Sequence, residues 1–249
     1  MTAAPVLSPA QTVRDLGLIA RALGDHPGLA RALTDAAAPG AKKAELIDAA
    51  FAGTSAAARQ VVTGGLDQSW ASLSAFLTWV ERTTVLQCWQ WAKADGHLAQ
   101  AIDDVFDFGQ LVARDHEVRA LVTDRGVPVE RRTGLVRELM ADAVAPATEV
   151  AAAAVARRRG TIDDAISDYI GIGVELAGAR LAVVTVAKPL PSEQRARLLD
   201  ALQAHLNTPI IIQEVVEPTV LGGVRVECGA EVIDSTLAAR LETARREFS

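Results

Sequence analysis

A repeated series of apolar and helix-breaking residues is the feature that most constrains how this chain folds. Each residue of the first series stands 89 positions before its counterpart. The first series is Leu33, Thr34, Asp35, Pro39, Lys42, Lys43, Leu46, Ile47 and Phe51, and the second is Val122, Thr123, Asp124, Pro128, Arg131, Arg132, Leu135, Val136 and Met140. Because break residues, a basic pair and apolar doublets recur in one order, we predict a duplicated multi-helix unit.

Towards the N-terminus, the match continues if one residue of slippage is allowed. The corresponding pairs are then Asp25 with Asp115, Leu16 with Phe106, and Leu18 with Phe108, each 90 positions apart. The two aspartates fall between predicted helices, where an aspartate caps well. The alternative is that two alanine-rich amphipathic stretches coincide by chance.

Apolar residues recur at helical spacing through most of the chain before residue 178. Hydrophobic residues make up 50% of the chain but aromatic residues only 4%, so the core is expected to consist of Ala, Val and Leu in close-packed helices. Thr161 and Asp164 form an approximate capping box for the last of these helices. We predict helices at about residues 11–24, 29–35, 46–51, 61–66, 69–95, 98–112 and 162–178.

The apolar period changes from helical to strand-like after residue 180. Strands are predicted at 181–186, 210–216, 224–228 and 231–233, the last two joined by a tight Gly229-Ala230 turn. Ser192 is the expected N-cap of a helix between the first two strands. A final helix carries Leu237 and Leu241.

These patterns predict a mainly α fold: one or more N-terminal helical bundles with an internal duplication, followed by a small C-terminal α+β module. The predicted domains are an extra helical unit at 1–68, a helical bundle at 69–178 and the α+β module at 179–249. The extra unit is interpreted as a partial duplicate of about 100–160.

Charge and motif spacing weigh against several classes of function. The net charge of −6 does not favour binding to duplex nucleic acid or adsorption to an anionic membrane. The four histidines stand singly, so no metal site and no cofactor are predicted. Gly222-Gly223 precedes a strand, whereas a phosphate-binding loop precedes a helix. Cys88 has no basic neighbours that would activate it, so we expect a packed helix position.

No apolar run reaches 18 residues and the N-terminus lacks signal-peptide features, so neither a membrane span nor a leader is expected.

Two groups of residues are candidate partner contacts. All four tryptophans (Trp70, Trp79, Trp89 and Trp91) fall in one predicted helix. They spread over more than one face, so either interface or core positions are compatible with the pattern. The basic run Arg157–Arg159 either interacts with the end of a helix dipole or meets an acidic partner.

The C-terminal module closely resembles the delta subunit of F-type ATP synthase, whose mitochondrial counterpart is the oligomycin-sensitivity-conferring protein. The resemblance covers about residues 69–249, and the extra N-terminal unit is similar to a duplicated extension in some high-GC bacterial members. The motif residues are Val184-Thr185-Val186-Ala187-Lys188-Pro189, Glu217-Pro218-Thr219-Val220-Leu221-Gly222-Gly223-Val224-Arg225-Val226 and Val232-Ile233-Asp234.

This resemblance implies a non-catalytic stator subunit that links the catalytic head to the stalk. The helical domain would bind the N-terminal helix of an α subunit in a groove between helices, to which the Trp70–Trp91 helix contributes. The C-terminal module would bind the C-terminal end of the b subunit. Candidate contacts are Trp79, Trp89, Arg157, Arg158, Leu237 and Leu241. The protein would be peripheral, at the cytoplasmic face of the bacterial membrane, reaching the membrane only through the complex.

Two alternatives remain at the level of sequence. One is a helical-repeat adaptor unrelated to ATP synthase, with the duplicated units as its binding surface. The weaker one is an RNA-binding helical protein that uses Arg157–Arg159, although three arginines are few for a nucleic-acid footprint.

Overall fold

The computed structural model describes residues 8–218, 223–229 and 231–234. Most of these residues lie in helices, and four strands lie near the C-terminal end. The elements are α1 (Pro9–Asp25), α2 (Pro27–Thr34), α3 (Gly40–Ala50), α4 (Ala56–Thr63), α5 (Leu73–Ala94), α6 (Leu98–Arg114), α7 (His116–Thr123), α8 (Val129–Leu139), α9 (Ala145–Ala156), α10 (Ile162–Ala177), β1 (Arg180–Val186), α11 (Ser192–Leu206), β2 (Ile210–Val216), β3 (Val224–Cys228) and β4 (Glu231–Asp234). The mainly α fold with a small C-terminal α+β module is therefore confirmed.

The chain divides into two compact units, Met1–Ile172 and Gly173–Ser249. The first contains both copies of the predicted repeat, and the second contains the sheet. The three-part division at residues 68 and 178 stays a prediction.

The repeat keeps a constant spacing of 89 residues, and the predicted slippage is wrong. The four buried apolar residues of α1 are each matched by a buried residue of α6: Val13 with Ile102, Leu16 with Val105, Ile19 with Phe108, and Leu23 with Val112. A shift of one residue rotates a side chain about 100° around a helix. The slipped pairing would equate buried Phe108 with Leu18, which is 48% exposed.

The slippage also misplaced the capping aspartates. The carboxylate of Asp115 accepts hydrogen bonds from the backbone N–H groups of Glu117 and Val118, so it caps α7 as expected. In the constant register its counterpart is His26, whose side chain makes no capping hydrogen bond. Asp25 is instead the last residue of α1 and forms an ion pair with Arg158.

The repeat includes five helices, because α5 and α10 also begin 89 residues apart. Ser72 caps α5 by accepting from the backbone N–H of Ala75 at 3.1 Å. At α10 the Thr161 hydroxyl accepts from the backbone N–H of Asp164, and the Asp164 carboxylate accepts from the backbone N–H of Thr161 at 3.0 Å. These two hydrogen bonds confirm the capping box. The pattern predicts Trp70 within this helix, and that prediction is wrong. Because α5 begins at Leu73, Trp70 lies before it.

The two copies pack on each other through α9, which contacts α1, α5, α6 and α8. Helices therefore lie on several sides of α9, and nine of its twelve residues are buried. Small side chains make this close packing feasible, since α9 contains seven alanines. The first copy has its own core of residues from α1 to α5: Leu16, Ile19, Leu23, Ala30, Leu33, Ile47, Phe51, Ala58, Val62, Leu66, Phe76 and Val80.

In the second unit the strand order is β2-β1-β3-β4. β1 and β2 are parallel and are joined by α11, whereas β1–β3 and β3–β4 are antiparallel. Cys228 pairs with Glu231, so the predicted two-residue connection is confirmed. α11 packs on β2, and its Leu202 is buried with Val184 and Ile212. Pro191, not the predicted Ser192, is the residue preceding α11, and it supplies no side-chain cap.

Among the helices in the described ranges, none is both long and apolar enough to cross a lipid bilayer.

Candidate partner-binding groove

An apolar groove with a volume of about 740 Å³ runs between helices of the first unit. We refer to it as the α1/α5/α9 groove, after the helices that form its walls. α8 and the loop after α9 complete its edge. The lining residues are Val13, Arg14, Gly17, Leu18, Ala20, Arg21, Gly24, Leu73, Ser74, Leu77, Glu81, Thr84, Glu130, Thr133, Arg137, Glu149, Ala152, Ala153, Ala156 and Arg157–Arg159.

Small residues on two of the walls create the space in the groove. Gly17, Ala20 and Gly24 lie along one side of α1, and three alanines line the α9 wall. A Cβ atom added to Gly17 would meet no atom within 4 Å. Leu18, which is 48% exposed, provides apolar surface at the α1 wall. The groove can therefore accept the side chains of a partner without displacing its own.

A buried carboxylate anchors one side of the groove. The side chain of Glu149 is 7% exposed and is held by two arginines from other helices. Arg14 Nε lies 2.9 Å from its Oε1, and Arg137 Nη2 lies 2.9 Å from its Oε2. Both carboxylate oxygens are paired, which offsets the cost of burying the charge. These ion pairs connect α1, α8 and α9 and fix the shape of the wall.

Arg157 belongs to a second network, which joins α5 to α10. Its Nε lies 3.1 Å from Glu81 Oε1, its Nη1 lies 2.8 Å from Asp168 Oδ2, and its guanidinium lies 5.7 Å from the centre of the Tyr169 ring. The Tyr169 hydroxyl donates to Glu81 Oε1 at 2.6 Å. Burial, followed by the adjacent carboxylate of Glu81, raises the pKa of Tyr169 far above its usual value, so the donor keeps its proton.

The other two arginines of the basic run also bond within the chain. Arg158 pairs with Asp25 at the end of α1, yet its side chain is 60% exposed. Arg159 donates to the Ser74 hydroxyl and, at 2.9 Å, to Thr78 Oγ1 on α5. The run thus fastens the loop after α9 to α1 and α5, while all three arginines line the groove.

None of the four tryptophans lines the groove, and one of them lies fully in the core. Trp89 is fully buried, and its indole N–H donates to the Tyr169 carbonyl at 2.9 Å. It therefore has no free surface for a partner, and its assignment as a contact is corrected to core packing. Trp79 is partly buried against Trp70 and Phe76, with ring centroids 5.4 and 6.2 Å away. α5 faces the groove with other residues, including Leu73, Leu77 and Glu81.

The predicted contacts Leu237 and Leu241 lie outside the residues that the structure describes. The small-residue spacing on α1 was a signal in the sequence that could have indicated the groove. We had not predicted Gly17, Leu18 or Arg21 as site residues.

Reactive side chains are few in the described part of the chain. Cys88 is fully buried, as predicted, and its thiol lies 3.4 Å from the Thr84 carbonyl. The pKa of Cys88 is raised well above that of a free thiol, mainly because the side chain is buried. The thiol is therefore a poor nucleophile. Within residues 8–218, 223–229 and 231–234, no three His, Cys, Asp or Glu residues are grouped so as to hold a metal ion.

Comparisons with known proteins agree over nearly the whole chain. The family model described as ATP synthase delta (OSCP) subunit matches residues 88–248. A protein named ATP synthase subunit delta from Beutenbergia cavernae is 34% identical, with 98% of this chain and 93% of that protein covered. Proteins of the same name from Cutibacterium acnes and Salinispora tropica are 33% and 32% identical. The matched regions cover 91% and 96% of this chain, and 87% and 89% of those two proteins.

Proposed function

Because the chain belongs to the ATP synthase delta (OSCP) subunit family, we propose that its α1/α5/α9 groove binds the N-terminal helix of an ATP synthase α subunit. The protein is a non-catalytic peripheral-stalk subunit of ATP synthase. A helical-repeat adaptor unrelated to ATP synthase is thereby rejected. RNA binding is not supported either, since each arginine of the basic run bonds within the chain.

The observation that carries the proposal is the groove itself. It is lined by small and apolar residues of three helices together with charged side chains. An amphipathic helix binds such a surface by placing its apolar face between the walls and its polar face towards solvent. Leu18, Leu73 and Leu77 supply apolar side chains to that contact.

The C-terminal module is proposed to bind the C-terminal end of the b subunit, with Leu237 and Leu241 as predicted contacts. A stator has to hold the catalytic head while the central rotor turns. Because the link between the head and the stalk is lost when either contact is lost, both sites would have to bind tightly and dissociate slowly. We place the protein at the cytoplasmic face of the bacterial membrane, attached through the complex.

A bulky side chain on the α9 wall is expected to weaken binding of the α subunit helix. Ala153 lines the groove and is partly exposed, so phenylalanine there would occupy the space without entering the core. We expect Ala153→Phe to raise the dissociation constant by about tenfold or more, because the partner helix must shift or lose contacts. The measurement is fluorescence anisotropy of a labelled α subunit N-terminal peptide titrated with the full chain.

The matched control is Ala113→Phe, an exposed alanine on α6 that does not line the groove. It should leave the affinity unchanged. Equal affinities for Ala153→Phe and the unsubstituted chain would refute the proposed position of the α subunit helix.

A further inference from the structure

One wall of the groove comes from the part of the chain that precedes residue 69. α1 contributes Val13, Arg14, Gly17, Leu18, Ala20, Arg21 and Gly24. It packs along α5 and also contacts α9, so it is fixed against the other two walls. The first copy of the repeat is therefore not a separate appendage of the helical unit, since it borders the site where we place the partner.

The equivalent face of the second copy is filled. The counterpart of Gly17 on α6 is Phe106, and the counterpart of Ala20 is Gly109. A Cβ atom on Gly109 would lie 3.1 Å from the side chain of Ile166 on α10, so the two helices already touch there. On α1 and α5, the corresponding residues Ala20 and Leu77 both line the open groove. The two copies have diverged at the positions that keep the α1 wall open.

The charges of the groove indicate the chemistry of its occupant. Six arginines and three glutamates line it, although the whole chain has a net charge of −6. Glu149 is already paired with Arg14 and Arg137, and Glu81 with Arg157. Glu130 adds one carboxylate on the α8 side.

Two guanidinium groups at the groove lack a carboxylate partner in the described part of the chain. Arg21 forms no ion pair there, and Arg159 bonds to hydroxyl and carbonyl groups of α5. A helix that carries carboxylates beside its apolar face would supply the missing counter-charges.

We propose that the first copy of the repeat serves to complete the partner groove, and that its α1 wall, through Gly17 and Arg21, selects an amphipathic helix bearing carboxylates. This inference rests on the proposed function, because it concerns the same groove. It assigns to the N-terminal copy a direct part in partner recognition.

The steric part is tested by Gly17→Phe in the full chain, with the labelled α subunit N-terminal peptide as probe. The added ring would enter the groove from the α1 wall, where nothing lies within 4 Å. We expect the dissociation constant to rise about tenfold or more. The control is Gly171→Phe. Gly171 is an exposed mid-helix glycine outside the groove, and, as at Gly17, no atom lies within 4 Å of an added Cβ.

The charge part is tested by Arg21→Gln, with Arg31→Gln on α2 as the control, since Arg31 is exposed and does not line the groove. Arg21→Gln should weaken binding about threefold to tenfold at low salt. A peptide whose Asp and Glu residues are replaced by Asn and Gln should bind more weakly to the unsubstituted chain and be insensitive to Arg21→Gln.

The outcomes separate this inference from the proposed function. If the peptide binds and Ala153→Phe weakens it while Gly17→Phe does not, the α5 and α9 walls form the site and the role of α1 is refuted. If Arg21→Gln leaves binding of the acidic peptide unchanged, the charge selection is refuted. If the unsubstituted chain does not bind the peptide at all, both the proposed function of the groove and this inference fail.

Discussion

Replacement of Trp89 by alanine is expected to lower the free energy of unfolding by about 3–5 kcal/mol, as truncation of a fully buried aromatic residue does. Trp89 is among the largest fully buried side chains in the described structure. Its removal would open a cavity between α5 and α10. It would also leave the Tyr169 carbonyl without the indole N–H that now bonds to it at 2.9 Å. Urea denaturation followed by far-ultraviolet circular dichroism measures the loss.

Trp91 provides the control for that measurement, because it is on the same helix and only partly buried. Trp91→Ala should cost about 1 kcal/mol, as is usual for a residue outside the core. A larger loss for Trp91→Ala than for Trp89→Ala would contradict the burial described for α5. The original hypothesis, in which Trp89 contacts a partner, would then regain support.

Replacement of Gly65 by alanine is expected to destabilise the first copy by about 1–3 kcal/mol, the range for overpacking a core. A Cβ atom there would overlap Cη2 of Trp79. The indole cannot retreat freely, because Trp70 and Phe76 pack against it and the Trp70 N–H donates to the Gly65 carbonyl at 3.0 Å. The melting temperature and the near-ultraviolet dichroism of the tryptophans report the change.

The adjacent glycine makes a stringent comparison. A Cβ atom on Gly64 would come no closer than 3.5 Å to any neighbour, which is an ordinary contact. Gly64→Ala should therefore be neutral or slightly stabilising, since alanine restricts the unfolded chain. Similar melting temperatures for Gly64→Ala and Gly65→Ala would show that the Trp79 ring does not occupy the described position.

Periodicity predicted the longest helices and the four strands because it follows directly from burial, whereas α7, α8 and α9 were not among the predicted helices. The predicted limits of β2 and β3 coincide with the observed ones. Pro209 directly precedes the β-branched run of β2, and Gly223 directly precedes the alternating run of β3. The capping box at Thr161 was recognisable because it consists of local hydrogen bonds. The duplication was visible for the same reason, because the helix-breaking residues of the first copy recur at equivalent positions in the second.

The spacing of small residues on α1 hints at a groove, but the other two walls could not be predicted because they depend on contacts between distant segments. The sequence shows that α1 is amphipathic, but not that the side bearing Gly17, Ala20 and Gly24 lies beside α5 and α9. Four tryptophans spread around one helix fit several rotations of that helix, so the sequence could not place Trp89 against Tyr169. Likewise, the arginine run reveals its charge but not its bonds to Asp25, Ser74 and Asp168.

The most direct test of the central claim is affinity purification of the tagged full chain from gently solubilised bacterial membranes, with the recovered subunits identified by mass spectrometry. A peripheral-stalk subunit with the two proposed binding sites should recover both the α and the b subunits. Recovery of the α subunit alone would contradict the role proposed for the C-terminal module. Recovery of the chain without either subunit would contradict the stator function itself.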